Sequence, residues 1–287
     1  MNSKGHTRKK VIYPGVVIIS LLKYLVLIAG CVMVLLPLLV IILGAFKDSK
    51  EFANTGVFEL PVSFKFDNFK TAFFEGKVLL GLRNTALIIV ISCFGTILTG
   101  TMTAFVIQRF DGYFTRAIKG AFLLATLLPN ISMQVTVFQI VSKLGLYNTM
   151  AAPIILFVGT DIISIYIFIQ FLSQIPVSLD ESGIMDGASY PRIYFSIILP
   201  NLKPAIATVL IIKFVSIYTD FYTPQLYMQD EDLLVVSTVL YKYISSTSIK
   251  WEVVFAGIII CILPTLTIFL FLQKYIYSGL VSGAVKE

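Results

Sequence analysis

Few residues in this chain could do chemistry on a substrate. The one histidine, His6, lies in a basic N-terminal arm where solvation accounts for it. No HExxH, GxSxG or G-x-x-x-x-G-K-S/T stretch occurs, so the chain carries no recognisable catalytic cluster and no cradle for ATP phosphates. Cys31, Cys93 and Cys261 all fall in apolar runs without CxxC spacing and read as small packing residues. What remains are polar side chains inside apolar runs: Asn130, Gln134, Asp161, Tyr218, Asp220 and Tyr222. Polar groups in such places are functional candidates by default. The plainer reading is that each satisfies backbone or a neighbouring helix. Lys213 and Asp220 are two turns apart on one helix face, too far for a direct pair, so each needs another partner.

The elements that must position these groups follow from composition. The 287 residues are 57% hydrophobic and 13% charged, with mean hydropathy +0.89, too little charge to wet the surface of a soluble domain. Apolar runs of about twenty residues alternate with short polar stretches, which is the bilayer pattern. The net charge of +6 is dispersed among loops, which excludes a nucleic-acid stripe and suits membrane orientation. The expected fold is all-α and polytopic, a single transmembrane domain over 1–287 with about six spans. The spans fall near Tyr24–Phe46, Asn84–Ile107, Gly120–Val141 (broken at Pro129-Asn130), Met150–Leu172, Ala205–Met228 and Val253–Leu272. Ile28-Ala29-Gly30-Cys31 resembles a lipoprotein cleavage site, but the apolar run continues to Phe46, as an uncleaved helix does. In the second span Gly95, Thr96, Thr99, Gly100, Thr101, Thr103 and Ala104 let neighbouring helices approach closely, which places it in the bundle interior. Between the first two spans, Phe64, Phe66, Phe69, Phe73 and Phe74 suit a loop at the membrane interface.

An even number of spans puts both termini on one side. Placing that side in the cytoplasm gathers Lys4, Arg8, Lys9, Lys10, Arg109, Arg116, Lys119, Arg192, Lys203, Lys274 and Lys286 inside. The cytoplasmic parts are then an arm over 1–23, a loop over 178–204 and a tail over 273–287.

The loop is the most informative stretch. Ser178-Leu179-Asp180-Glu181 has capping-box spacing and predicts a helix with Ser178 as N-cap. Gly187 is a stop or bend, and Pro191 suits the first turn of a second short helix. Tyr190, Ile193, Tyr194 and Ile197 then form one apolar stripe, and Pro200 and Pro204 punctuate its end. The first helix offers Ile184 and Met185, beside acidic groups, to something outside the bundle.

Glu181-Ser182-Gly183, Gly187 and Ile197-Ile198-Leu199-Pro200 match the spacing of the EAA loop of ABC-importer permeases. That pattern reads Glu-Ala-Ala, three residues, Gly, nine residues, Ile-x-Leu-Pro; Ser182 and Gly183 replace its two alanines and remain small. The resemblance covers nearly the whole chain and points to the carbohydrate-uptake group, in particular its maltose-permease G-type subunit. Phe46-Lys47-Asp48-Ser49, Phe66-Asp67-Asn68-Phe69, Gly145-Leu146-Tyr147-Asn148-Thr149, Asp220-Phe221 with Pro224, and the tail through Gly283-Ala284-Val285-Lys286 resemble that group.

The resemblance implies a type I ABC-importer permease fold and a transport subunit, not an enzyme. Its partners would be a second permease, two ATPase subunits, an external substrate-binding protein and the lipid of a bacterial inner or plasma membrane. ATP and Mg would sit on the ATPase, leaving this chain without a cofactor or metal. Glu181, Ser182, Gly183, Ile184, Met185, Asp186 and Gly187 would couple to the ATPase, with Glu181 as polar anchor, Ile184 and Met185 as apolar knob and Gly187 as the bend. Asn130, Gln134, Asp161, Tyr218, Asp220 and Tyr222 would then suit a sugar pathway, which needs hydrogen-bonding groups and aromatic faces. The alternatives are an importer for another small solute, which the tail disfavours, and an ion-coupled secondary transporter, which should show paired broken helices and a buried ion site in each half.

Overall fold

The computed structural model describes residues 14–159, 161–244 and 250–284, with the side chains of 14–19, 130–131, 242–244 and 272–284 left aside. Lys4, His6, Arg8, Lys9, Lys10 and Lys286, and the side chain of Lys274, therefore lie outside what is described. Among the described residues all regular structure is helical.

Three helices are long and apolar enough to cross a membrane unaided. They are α1 (Pro14–Ala45), α4 (Val78–Arg109) and α14 (Trp251–Ala284). Between α1 and α4 lie the short helices α2 (Ser49–Asn54) and α3 (Asp67–Phe74). Three bent helix pairs are each long and apolar enough to cross a membrane if taken together. Helices α5 (Tyr113–Leu127) and α6 (Asn130–Lys143) turn by 113°, and α7 (Ala151–Gly159) and α8 (Ile162–Leu172) by 40°. The short α9 (Ser178–Met185) leads to α10 (Tyr190–Asn201), which meets α11 (Lys203–Thr219) at a 71° bend. Then come α12 (Tyr222–Tyr227) and α13 (Val236–Ile244).

The expected break at Pro129 is present: its backbone is extended, and proline has no N–H to carry a helix through. The expected fifth span, Ala205–Met228, is corrected. The helix stops at Thr219, where Asp220 turns extended and its carboxylate takes the Thr223 N–H at 3.0 Å and hydroxyl at 2.6 Å. A carboxylate that caps a new helix ends the old one.

Helix α4 is the axis of the bundle. Its 32 residues rise roughly 48 Å, more than the ~30 Å hydrocarbon core, so it projects beyond the apolar layer. It packs on α7, α8, α11 and α13. Its small residues allow this: Thr96, Thr101 and Ala104 are buried, although Thr99 is exposed. A Cβ on Gly95 would stand 2.7 Å from Val158, and one on Gly100 would stand 3.0 Å from Phe168. By contrast the span window of α1 has no buried residue, and α1 touches chiefly α14.

The segment between α1 and α4 closes the end of α1. Asn68 donates to the carbonyls of Ala45 and Lys47, which have no partner within the helix. Lys47, almost fully buried, bonds Thr55 and Gly56, and Phe46 packs edge-on against Phe64 and Phe66. A hydrogen bond from Lys65 at 2.6 Å holds the Asp48 carboxyl below the usual carboxylate range.

Gly95→Val forces overpacking between α4 and α7 and is expected to cost about 1–3 kcal/mol. Gly30→Val, where a Cβ meets nothing within 4 Å, should leave the melting temperature in detergent unchanged. Equal melting temperatures for the two variants would refute the close approach.

Candidate functional site

The helix expected at Ser178 begins there, but not through a capping box. Ser178 is its first helical residue; Val177 precedes it and makes no side-chain cap. The chain already turns at Pro176 and Val177: the Val177 carbonyl takes both the Asp180 and Glu181 N–H groups, at 2.9 and 3.1 Å. The stop is as expected. Gly187 has φ +79°, its N–H bonds Ile184, and the Ala188 N–H bonds Gly183 at 2.9 Å. This is a Schellman closure, which needs a left-handed residue that glycine supplies without strain.

α9 has two unlike faces. Asp180 and Gly183 are buried, whereas Leu179, Glu181, Ser182, Ile184, Met185 and Asp186 are exposed. Met185 is 87% exposed, a large apolar side chain left facing outward. A Cβ on Gly183 would meet Ile193 and Ile197 at 3.2 Å, so a small residue here lets α9 lie flat on α10.

Helix α10 runs through Pro200 rather than ending at it. Pro200 lacks the N–H for the next α-type bond, and its ring crowds the carbonyl four residues back. The chain widens into a π-turn over Tyr194–Ile198, with the Leu199 N–H bonding Tyr194. The extra residue rotates the apolar stripe. Ile193, Tyr194 and Ile198 are buried, Ile197 is half-buried and Tyr190 half-exposed, in place of the expected regular stripe from Tyr190 to Ile197. Pro204 opens α11 instead of closing α10.

This loop is held to the end of α4. The hydroxyls of Thr101 and Tyr194 lie 2.7 Å apart and buried. Phe105 packs on Tyr194, and Phe110 on Tyr190. Arg109 places Nε 2.6 Å from Asp180 Oδ2, the two side chains being only 6% and 9% exposed, and its Nη2 donates to the Ile175 carbonyl at 3.0 Å. The Nε–Oδ2 contact is an ion pair without hydrogen-bond alignment, and Asp180 Oδ1 has no hydrogen-bond partner among the described residues. Sequence reasoning noticed Arg109 only as an orientation charge.

The intramembrane polar groups are partly gathered and partly spoken for. Asp161 caps α8 through Ser164 and pairs with buried Lys213 at 2.8 Å. Lys213 also bonds the Phe157 carbonyl, exposed by the break between α7 and α8. This is the partner that the sequence left open for Lys213. Tyr218 is buried and donates to the Cys261 carbonyl. Gln134 accepts from Tyr227 at 3.3 Å, while Tyr222 is half-exposed. Asn130 opens α6, and its side chain is outside those described. Asn148, a polar clamp that its sequence neighbourhood does not announce, has φ +59° and accepts the Gln229 and Asp230 N–H groups after α12.

Residues 96–281 match the family described as binding-protein-dependent transport system inner membrane component. Among curated relatives, the probable starch degradation products transport system permease protein AmyC of Thermoanaerobacterium thermosulfurigenes is 29% identical over 272 residues, covering 92% of this chain and 97% of its own. The melibiose/raffinose/stachyose import permease protein MelC of Bacillus subtilis is 28% identical, covering 88% and 91%. A chain of a bacterial ABC transporter that imports alginate superposes with TM-score 0.83 at 18% identity, over 93% of this chain and 99% of that one. That likeness establishes the fold as the type I importer permease fold.

Lys213→Met, which strands the Asp161 carboxylate in the bundle, is expected to cost about 3–5 kcal/mol. The double variant Lys213→Met/Asp161→Asn should recover most of the melting temperature. Additive losses would show that the two groups do not pair.

Proposed function

The chain belongs to the binding-protein-dependent transport system inner membrane components, multi-pass membrane subunits that transport rather than catalyse, and from that premise we propose that it is the permease of an ATP-driven oligosaccharide importer. The observation that carries the coupling part is the two-faced α9. Its inner face is locked to the bundle, and its outer face presents Leu179, Ile184 and Met185 around Glu181 with no covering element among the described residues.

In this reading α9 docks in a groove on a cytoplasmic ATPase that holds ATP and Mg, so this chain itself needs no cofactor. Glu181 anchors the contact, Ile184 and Met185 fill the groove, and Gly187 with Asp186 sets the angle at which the helix is offered. Ser182 and Gly183 keep α9 thin against α10. Two such permeases and two ATPases, with an external binding protein, alternate access to a central path as the ATPases close. Rigid transmission of this kind requires contacts that differ in energy between two states.

The names of the relatives favour sugars as cargo: starch degradation products for one and raffinose-type oligosaccharides for the other. Tyr222, Gln134 and Asp220 are the partly accessible groups suited to hydroxyl-rich cargo, with Asn130 one turn before Gln134 at the start of α6. Tyr218 is buried and Asp161 is ion-paired, so both act on the path through packing. Both termini and α9 lie on the cytoplasmic side of a bacterial plasma membrane, and 1–287 forms one transmembrane domain.

Co-expression with the ATPase and second permease, followed by affinity purification, tests the docking. Glu181→Arg and Met185→Glu should reduce retained ATPase by about tenfold, the loss of a typical contact residue's ~1.4 kcal/mol, with the melting temperature of the permease unchanged. Full retention in both variants would move docking elsewhere. Failure of the wild-type chain to hold any ATPase would discard the importer reading.

A further inference from the structure

We infer that Arg109 is the positioning residue that transmits motion of α9 to α4, a role that rests on the importer reading above. Thr101, Phe105 and Arg109 recur every four residues on α4 and so share one face. All three grip the 175–194 segment: Thr101 and Phe105 hold Tyr194, while Arg109 holds both Asp180 and the Ile175 carbonyl.

The two Arg109 contacts fall on either side of Pro176. The Ile175 carbonyl belongs to the exit from α8, and Asp180 sits in the first turn of α9. The planar guanidinium donates to the Ile175 carbonyl and sets its charge beside the Asp180 carboxylate, an arrangement that a lysine ammonium on a flexible stem holds poorly. The α8–α9 corner is thereby made rigid and tied to the end of α4. Gly183 packs on α10 and holds α9 laterally, but among the described ion pairs only Arg109–Asp180 joins α9 directly to a spanning helix.

The consequence reaches the whole bundle, because α4 packs on α7, α8, α11 and α13. A partner that displaces the exposed face of α9 would therefore turn α4 through Arg109, and α4 would carry its neighbours. Burial of the pair matters here: an exposed pair in water would slip under load, whereas a desolvated one holds its geometry.

The test separates this role from simple structural support. In Arg109→Met/Asp180→Leu both charges are replaced by apolar groups of similar size, so no lone charge is left buried. The assembled complex, reconstituted in liposomes, is assayed for subunit content and for ATP hydrolysis with and without the external binding protein supplied with malto-oligosaccharides or raffinose. The expected result is full ATPase content and unchanged basal hydrolysis, with binding-protein stimulation reduced about tenfold, within the usual span of coupling between sites. Arg109→Lys should fall between this variant and wild type. Stimulation equal to wild type in the double variant overturns the inference, since the pair would then be structural only. Loss of ATPase from the double variant overturns it too, because Arg109 would then set docking rather than transmission. A wild-type complex that holds ATPase but shows no stimulation by the binding protein removes the importer reading, and this inference with it.

Discussion

In a bilayer no water reaches a freed carbonyl, N–H or charge, so each break in a spanning helix must be answered by a group from the same bundle. That constraint organises this molecule. Between α7 and α8 the chain opens, and Lys213 from α11 reaches the Phe157 carbonyl while Asp161 caps the next helix and neutralises the lysine. After α11 the chain opens again, and Asp220 caps α12. At the end of α1, Asn68 takes the last carbonyls. Lys213 and Asn68 answer breaks in elements distant in sequence, whereas Asp220 answers its own break locally, through Thr223.

The same logic explains why one helix dominates the architecture. α4 is longer than the apolar layer it crosses, and its Gly95 and Gly100 admit Val158 and Phe168 at close range. Its ends therefore stand outside the hydrocarbon, where they meet irregular chain. One end receives the α9–α10 loop through Thr101, Phe105 and Arg109. The other holds the 232–234 turn through Asn84, whose amide donates to the Asp232 and Leu234 carbonyls. A helix clamped at both ends and packed along its length moves as a body or not at all. α1, with no buried residue in its span window, adds little to the bundle core.

Local features of the loop were legible because their causes are local. Gly187 marks a left-handed stop wherever it stands, and Pro191 belongs in a first turn. The capping-box spacing at Ser178 does not place the cap, because Pro176 and Val177 begin the turn earlier, with the Val177 carbonyl taking the Asp180 and Glu181 N–H groups. The stripe along α10 holds at Ile193 and Tyr194 but shifts from Ile197 to Ile198, because a regular period cannot anticipate the π-turn before Pro200. Asp220 looked like a mid-span charge since the hydropathy run continues past it, although its own side chain ends the helix.

Amino-acid order by itself determined that the chain spans a membrane, where the main spans lie, and that a short helix closed by Gly187 interrupts them. These follow from run length, composition and single-residue backbone preference, which act over a few neighbours. The tertiary structure alone decided which charges meet: Arg109 with Asp180, and Lys213 with Asp161. Such pairs join segments far apart in the chain, and their contact depends on how each helix is rotated and tilted against α4. Rotation is set by many small packing contacts acting together, and no spacing rule along one segment contains it.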